Sequence, residues 1–212
     1  MSTLPSEREC FEILKEEGCS PKVIRHVCTV NIVAMIIASR IKADKDLVNA
    51  GSLLHDIGRS RTHGVKHVSE GVAIARTRNF PEELVQVISR HIAAGLTHDE
   101  ANALGLPEGD YMPQTIEEKI VCHADNLVSD DSVKSLQEAL EDLNSKGYTN
   151  TAKRMNAMHQ ELSILCGEDI DIMLADAKIQ ERSPRSVPLI ASYEVLVPQL
   201  LVVLRASLGF LF

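Results

Sequence analysis

The sharpest chemical feature of the sequence is an adjacent histidine and aspartate that end an apolar stretch, in the run LLHDIG from Leu53 to Gly58. Imidazole and carboxylate groups are common ligands of divalent metal ions. Neighbouring residues diverge by about 100° around a helix, but at a terminal turn before Gly58 the backbone can direct His55 and Asp56 at one point. On its own, the pair is equally typical of an exposed helix end.

Two more polar residues lie in apolar helical surroundings. His26 is flanked by valine or isoleucine at positions 23, 24 and 27, which predicts burial, and a buried imidazole needs partners. Asp125 follows an equally apolar run, and a buried carboxylate without a cation is costly. A lone buried histidine is more often a core residue, and a lone aspartate a helix cap. Three such positions in one chain indicate a shared metal ion.

These residues resemble the H…HD…D pattern of the HD-domain superfamily of metal-dependent phosphohydrolases, and Ile57-Gly58 matches its HDIG variant. The resemblance extends over residues 21–127. It implies an all-α fold, a helical bundle with the metal site in its centre, in which Asp56 bridges to a second ion where there is one. The implied ligands of the first ion are His26, His55, Asp56 and Asp125.

Two later histidines resemble the second-metal ligands of binuclear HD proteins. His67 and His91 each begin a His-x-x-x-Gly segment, as in HD-type hydrolases of diadenosine tetraphosphate. The whole pattern is more similar still to an uncharacterised group of prokaryotic, mostly archaeal, HDIG proteins. His63 is an alternative ligand to His67, because it is nearer the doublet, but its loop-like setting lacks the motif. Of the other histidines, His123 is expected to be structural. His98 and His159 are expected to be exposed.

The donor set and its neighbours point to chemistry on phosphate. Four imidazoles and two carboxylates suit one or two ions of Fe, Mn, Zn, Co or Ni better than Mg. Such ions would activate a water for attack on phosphorus. Arg59 and Lys66 are expected to bind substrate phosphate in this otherwise acidic chain. Glu70, one turn from His67, is a candidate to orient that ligand or to transfer a proton.

The sequence therefore predicts a metal-dependent phosphohydrolase that acts on a nucleotide or another small phosphoester or phosphoanhydride. One alternative is a di-iron oxygenase, because the six-residue pattern also resembles HD-domain oxygenases. Another is a non-catalytic sensor of a metal or a nucleotide. The Gly- and Pro-rich loop over residues 104–113 is expected to border the site, where Tyr111 would stack on a base.

Composition narrows the partners and the compartment. The 212 residues are 44% hydrophobic, with a net charge of −8 and 3% aromatic residues. This composition fits one globular domain, and from it we expect no binding of long nucleic acid. Five cysteines without a Cys-x-x-Cys pair favour free thiols in a reducing compartment. The polar N-terminus lacks signal-peptide features, so a cytoplasmic protein is expected, and a homodimer is compatible with the sequence.

The elements that must position these residues are helices almost throughout. Capping boxes at Ser6 and Thr115 and the pair Ser20-Pro21 mark three helix starts. No strand is expected before residue 183. We predict an HD domain over residues 1–182, with a core at 20–130 and C-terminal helices at 131–182. Residues 183–212 form an apolar extension of unknown role, whose charge-free stretch is too short to span a bilayer. Packing on the domain or on a second subunit is favoured there over association with a membrane.

Overall fold

The elements that carry the candidate residues are helices in the computed structural model, which describes residues 3–177. This part of the chain contains ten α-helices, one 3₁₀ helix and one short hairpin, so the prediction of an all-α fold is confirmed. The α-helices are α1 (Glu7–Glu16), α2 (Pro21–Arg40), α3 (Lys45–Leu54), α4 (His67–Thr77), α5 (Glu82–Arg90), α6 (His98–Ala103), α7 (Ile116–Asn126), α8 (Leu136–Ser145), α9 (Thr149–Cys166) and α10 (Ile170–Asp176).

Polar residues set the helix starts as the sequence predicts. The capping boxes at Ser6 and Thr115 are both formed, and each satisfies backbone N–H groups that a helix leaves without partners. Ser20 caps α2, with Pro21 at the first helical position, where its missing N–H costs nothing. Two further capping boxes open α6 and α8. The helix boundaries near the site are therefore set by local sequence.

The core is built around α2. This helix packs against α3, α7, α9 and α10, and most of its side chains are buried. Within residues 3–177 it is the one helix long and apolar enough to cross a membrane, a property that a buried core helix shares. Asn31 on α2 donates 2.7 Å and 2.9 Å hydrogen bonds to Ser52 and Asn49 of α3. This buried polar link fixes α2 against the helix that leads to the His-Asp doublet.

Two features depart from the expected helices. A 3₁₀ helix, Ile57–Ser60, follows the doublet directly. The expectation of no strands before residue 183 was wrong, because β1 (Val128–Ser129) and β2 (Ser132–Val133) form an antiparallel hairpin. Asp130 in its turn has a φ of 55°, which aspartate tolerates better than most residues, and Ser and Asp around it favour turns. The predicted extension at 183–212 lies outside the described residues.

The five cysteines are buried free thiols, as expected. Burial raises the pKa of Cys10 and of Cys19 to about 12. The thiols of Cys10 and Cys19 are therefore protonated and packed in the core.

Candidate metal centre

The structure brings together six metal-capable residues from separate elements. One residue comes from α2, one from the end of α3 and one from the turn before the 3₁₀ helix. The others come from the start of α4, the end of α5 and the last turn of α7. The six are His26, His55, Asp56, His67, His91 and Asp125.

They form two triads. In the first triad, Oδ1 of Asp125 lies 3.0 Å from Nε2 of His26 and 3.4 Å from Nε2 of His55. In the second triad, Oδ1 of Asp56 lies 3.2 Å from Nε2 of His67 and 3.6 Å from Nε2 of His91. Within each triad the donor atoms lie within 4.8 Å of one another, close enough to share one ion.

Asp56 belongs to both triads. Its Oδ1 faces the second triad, while its Oδ2 lies 3.6 Å from Nε2 of His26 and 3.8 Å from Nε2 of His55. The residue is 1% exposed, and Oδ1 has no hydrogen-bond partner. With its two oxygens facing two sets of imidazoles, this buried carboxylate would be able to contribute a ligand atom to a metal ion in either triad.

Backbone carbonyls fix the orientation of all four imidazoles. For three of them, the acceptor is the carbonyl three residues earlier in the chain, and for His26 it is a carbonyl in the hairpin turn. Because Nδ1 donates in each case, Nε2 is the nitrogen that remains to bind a metal ion, and it points into the site. The Nδ1···O distances are 2.7 Å for His26 to Asp130, 2.8 Å for His55 to Ser52, 2.9 Å for His67 to Gly64 and 2.7 Å for His91 to Ile88.

This orientation leaves lone pairs facing each other. Nε2 of His67 lies 3.1 Å from Nε2 of His91, and both rings are buried. Nε2 of His55 is also buried without a hydrogen bond. Unprotonated nitrogens at such a distance repel, and buried polar atoms without partners are costly. Because ligand atoms around a tetrahedral ion are about 3.3 Å apart, the residues fit a divalent ion in the second triad.

Electrostatics differ between the triads. Burial alone would raise the pKa of Asp125, but His55 and His26 hold it well below its usual range. Burial also opposes protonation of His26, but its hydrogen bond to Asp125 and the charges of Asp125 and Asp56 raise its pKa to about 9. Burial and the neighbouring His55 and His67 lower the pKa of His91, so that this ring is neutral at pH 7.

From these shifts we expect the affinity for divalent metal to rise between pH 6 and pH 8. In the metal-free protein, His26 carries a proton below its pKa of about 9, and this proton must leave when a metal binds. The protonated form stabilises the metal-free fold below pH 6.5, and this contribution is lost as the pH rises through 9. Calorimetric titration with Mn²⁺ at several pH values, in buffers of different ionisation enthalpy, measures the affinity and the number of protons released. Affinity independent of pH, with no proton release, would contradict the prediction.

A cavity of about 640 Å³ opens over the first triad. Its basic side chains come from α2, from the 3₁₀ helix and from the segment after the hairpin. Its polar and charged lining residues include Lys22, His26, Asp56, Arg59, His63, Asp125, Asn126, Ser129, Asp130, Lys134 and Asp142. Arg59 donates a hydrogen bond to Oδ2 of Asp56, and both residues line the cavity.

The other candidates from the sequence are placed differently. His63 lines the cavity but is exposed and belongs to neither triad. Lys66 is exposed at the start of α4, outside the lining of this cavity. Glu70 is half-buried on α4, and within residues 3–177 its carboxylate forms no hydrogen bond or ion pair with His67. The structure thus supports a substrate contact at Arg59 better than at Lys66.

Two expectations were wrong. Tyr111 does not face the cavity, because it is buried in a small cluster with Leu96 and Leu106, and its hydroxyl donates to the carbonyl of Pro107 at 2.9 Å. His159, expected on the surface, is 2% exposed. The sequence carried a signal for this burial, since buried Met155 and Leu162 flank His159 at helical spacing.

Sequence reasoning also missed two cations of the cavity. Lys22 pairs with Asp130 at 2.8 Å, and Lys134 lies 3.7 Å from Asp142. Lys22 lies on α2 and Lys134 directly follows β2, and the pair of Lys22 with Asp130 joins α2 to the hairpin turn. A single sequence does not show which distant segments such a turn brings together.

With this geometry established, comparison with known proteins identifies the family. Residues 23–130, which contain all six residues of the two triads, match the HD domain family. The chain belongs to the HD-domain family. This HD domain is thus a member of the metal-dependent phosphohydrolase superfamily that the H…HD…D pattern indicates.

Relatives of this HD domain carry different names. It is 45% identical over 173 residues to tRNA (cytidine(56)-2'-O)-methyltransferase of Picrophilus torridus, over 82% of this chain and 51% of that protein. The chain therefore spans about half the length of that relative. It is 46% identical over 134 residues to an uncharacterized protein of Methanocaldococcus jannaschii, over 58% of this chain and 79% of that protein.

A solved structure shares the fold. The HD domain of the phosphodiesterase PgpH from L. monocytogenes, in complex with cyclic-di-AMP, superposes with a TM-score of 0.55 at 16% identity. The match covers 78% of this chain and 95% of that chain. At this identity the likeness establishes the helical architecture alone.

Proposed function

We propose that this HD domain hydrolyses a phosphoester or phosphoanhydride bond of a nucleotide, using two divalent metal ions. The observation that carries the proposal is the Asp56 carboxylate, whose two oxygens face the two triads at the floor of a cavity. Beside it, the Nε2 atoms of His67 and His91 are 3.1 Å apart, and their lone pairs favour a cation between them. The mixed nitrogen and oxygen donors suit Fe, Mn, Zn, Co or Ni better than Mg.

The bound ions would supply an activated water and neutralise phosphate oxygens. The protein's own residues have separate tasks. Asp56 links the two triads, because one of its oxygens faces each of them, and Arg59 orients that carboxylate through its hydrogen bond. The carbonyl of Asp130 holds the ring of His26, so the hairpin turn supports the first triad directly. These contacts preorganise the donors before a substrate arrives.

The cavity fits a phosphorylated ligand of nucleotide size. Its volume of about 640 Å³ lies within the usual range of small-molecule sites. Lys22 and Lys134 both line the cavity, and their partners are the exposed Asp130 and the half-buried Asp142, carboxylates that a phosphate can replace. In a chain of net charge −8, this local cluster of cations favours a small anion over a long nucleic acid.

The name of the methyltransferase relative does not decide the activity of this chain. That name belongs to a protein about twice as long as the matched region. The donor set found here is suited to metal ions, and PgpH, which shares the fold, is a phosphodiesterase. We therefore propose hydrolysis for the HD domain. The proposal includes a cytoplasmic location, which the buried free thiols support.

The test is a substrate panel with defined metals. The protein is stripped, reloaded with Mn²⁺, Fe²⁺, Zn²⁺, Co²⁺, Ni²⁺ or Mg²⁺, and incubated with nucleoside triphosphates, dinucleoside polyphosphates and cyclic dinucleotides. We expect release of phosphate or a nucleoside monophosphate that depends on the metal. Oxygen consumption by the iron form with no phosphate release would overturn the proposal and favour the oxygenase. Metal or nucleotide binding without turnover would favour the sensor.

We expect the double substitution Lys22→Gln, Lys134→Gln to raise KM about 10- to 100-fold while kcat changes little, because each charge-assisted contact to phosphate contributes about 1.5–3 kcal/mol, part of which neighbouring cations replace. Steady-state kinetics on the best substrate of the panel measure the change. Lys45→Gln, at the exposed start of α3 and outside the cavity lining, is the matched control. An unchanged KM in the double variant would place the substrate elsewhere.

A further inference from the structure

A third group of metal-capable side chains lies outside the two central triads. It consists of His159 from α9, Asp169 at the N-cap of α10 and Asp171 in the first turn of α10, and we call it the C-terminal triad. One donor atom from each residue lies within 4.8 Å of the other two. Nothing in the proposed hydrolysis uses these residues.

The decisive member is His159, because it is buried and incompletely partnered. The residue is 2% exposed, and its Nε2 has no hydrogen bond. Nε2 lies 3.6 Å from Oδ2 of Asp169, beyond hydrogen-bond reach. Its other nitrogen, Nδ1, lies 3.0 Å from Nε2 of His123 on α7. When Nδ1 donates to His123, the lone pair on Nε2 faces the carboxylates, as the Nε2 atoms of the central histidines face theirs.

The two aspartates keep oxygens available for a ligand. Oδ1 of Asp169 accepts the backbone N–H of Asp171 at 2.9 Å, which leaves Oδ2 directed toward His159. Asp171 accepts the backbone N–H of Leu136 at 3.0 Å and 3.2 Å, and each of its oxygens retains a lone pair. The side chain of Asp169 is 50% exposed, so an ion can enter from solvent and keep a water as a further ligand.

We propose that the C-terminal triad binds one Zn²⁺, or a similar borderline divalent ion, through Nε2 of His159 and one oxygen each of Asp169 and Asp171. One imidazole, two carboxylates and a water make a tetrahedral set that zinc accepts. The ion would join α9 to α10, and through the contact of Asp171 with Leu136 it would also hold the start of α8. Its role is therefore structural, at the end of the described chain.

The experiment uses zinc as the probe and the full chain. The double variant Asp169→Asn, Asp171→Asn removes both charges, while asparagine keeps the acceptor oxygens that cap α10 and contact α8. Asp176→Asn, an exposed acid on the same helix, is the matched control. In crystals of the wild type and of Asp176→Asn grown with Zn²⁺, we expect an anomalous peak between His159 and the two aspartates. In the double variant this peak disappears, while peaks at the central triads remain.

A count of bound zinc after dialysis gives the independent readout. We expect the double variant to retain one Zn²⁺ fewer per chain than the wild type and Asp176→Asn. Central peaks with no density at His159, or an equal zinc content in the double variant, would overturn the proposal. Neither readout depends on hydrolysis, so this inference and the proposed function succeed or fail separately.

Discussion

Asp56→Asn is expected to lower metal-dependent hydrolysis about a thousandfold or more and to release metal from both central triads. Asparagine preserves the volume of the side chain but has one oxygen and no charge. In the structure, Oδ1 of Asp56 lies near Nε2 of His67 and His91, whereas Oδ2 lies near Nε2 of His26 and His55. Among the described residues, Asp56 is therefore the one whose loss affects both triads. Elemental analysis and a hydrolysis assay on the same preparation measure the two losses.

Two variants separate this effect from a general loss of structure. Asp46→Asn changes an exposed aspartate in the first turn of α3, the helix that leads to the doublet, and should leave metal content and activity unchanged. His91→Gln removes a donor from the second triad alone, so it should release one ion and leave the other. Activity of Asp56→Asn within tenfold of the wild type would show that the carboxylate does not bridge the two ions.

Four residues of the two triads carry a local signal in the sequence, whereas His67 and His91 were proposed from the family resemblance alone. His26 and Asp125 are polar side chains on otherwise buried helical faces, and His55 and Asp56 end a helix before a glycine. Helix starts could also be predicted from the sequence, because a cap such as Ser6 or Thr115 acts on backbone groups within four residues. Signals of this kind marked the starts of α1, α2 and α7.

The rest depends on contacts between distant segments. The carbonyl that orients His26 belongs to Asp130, 104 residues later, in a hairpin that helical periodicity does not predict. Lys134 reaches the cavity through the same hairpin, whereas Lys66, closer to the doublet in sequence, stays outside. His159 is buried against His123 of another helix, so its surface assignment failed even though its own neighbours are apolar. Distance along the chain was therefore a poor guide to the substrate side of the site.

Gly58→Ala is expected to lower the free energy of unfolding by about 3 kcal/mol or more and to remove the ion of the second triad. A Cβ on Gly58 would lie 1.9 Å from the carbonyl oxygen of His67 and 2.5 Å from the backbone nitrogen of Gly71. Both atoms belong to the backbone of α4, which cannot turn aside as a flexible side chain would. The added methyl group must therefore push α4 away from the 3₁₀ helix.

That displacement acts directly on the metal centre. His67 is the first residue of α4, and its Nε2 lies 3.2 Å from Oδ1 of Asp56, two residues before Gly58. Urea denaturation and metal analysis measure the two consequences. Gly64→Ala is the matched control, because a Cβ there meets nothing within 4 Å. If Gly58→Ala kept wild-type stability and both ions, close backbone packing would not explain this glycine. If Gly58→Ala loses stability and the second-triad ion while Gly64→Ala keeps both, Gly58 is required because it lets α4 approach closely enough for His67 to reach Asp56.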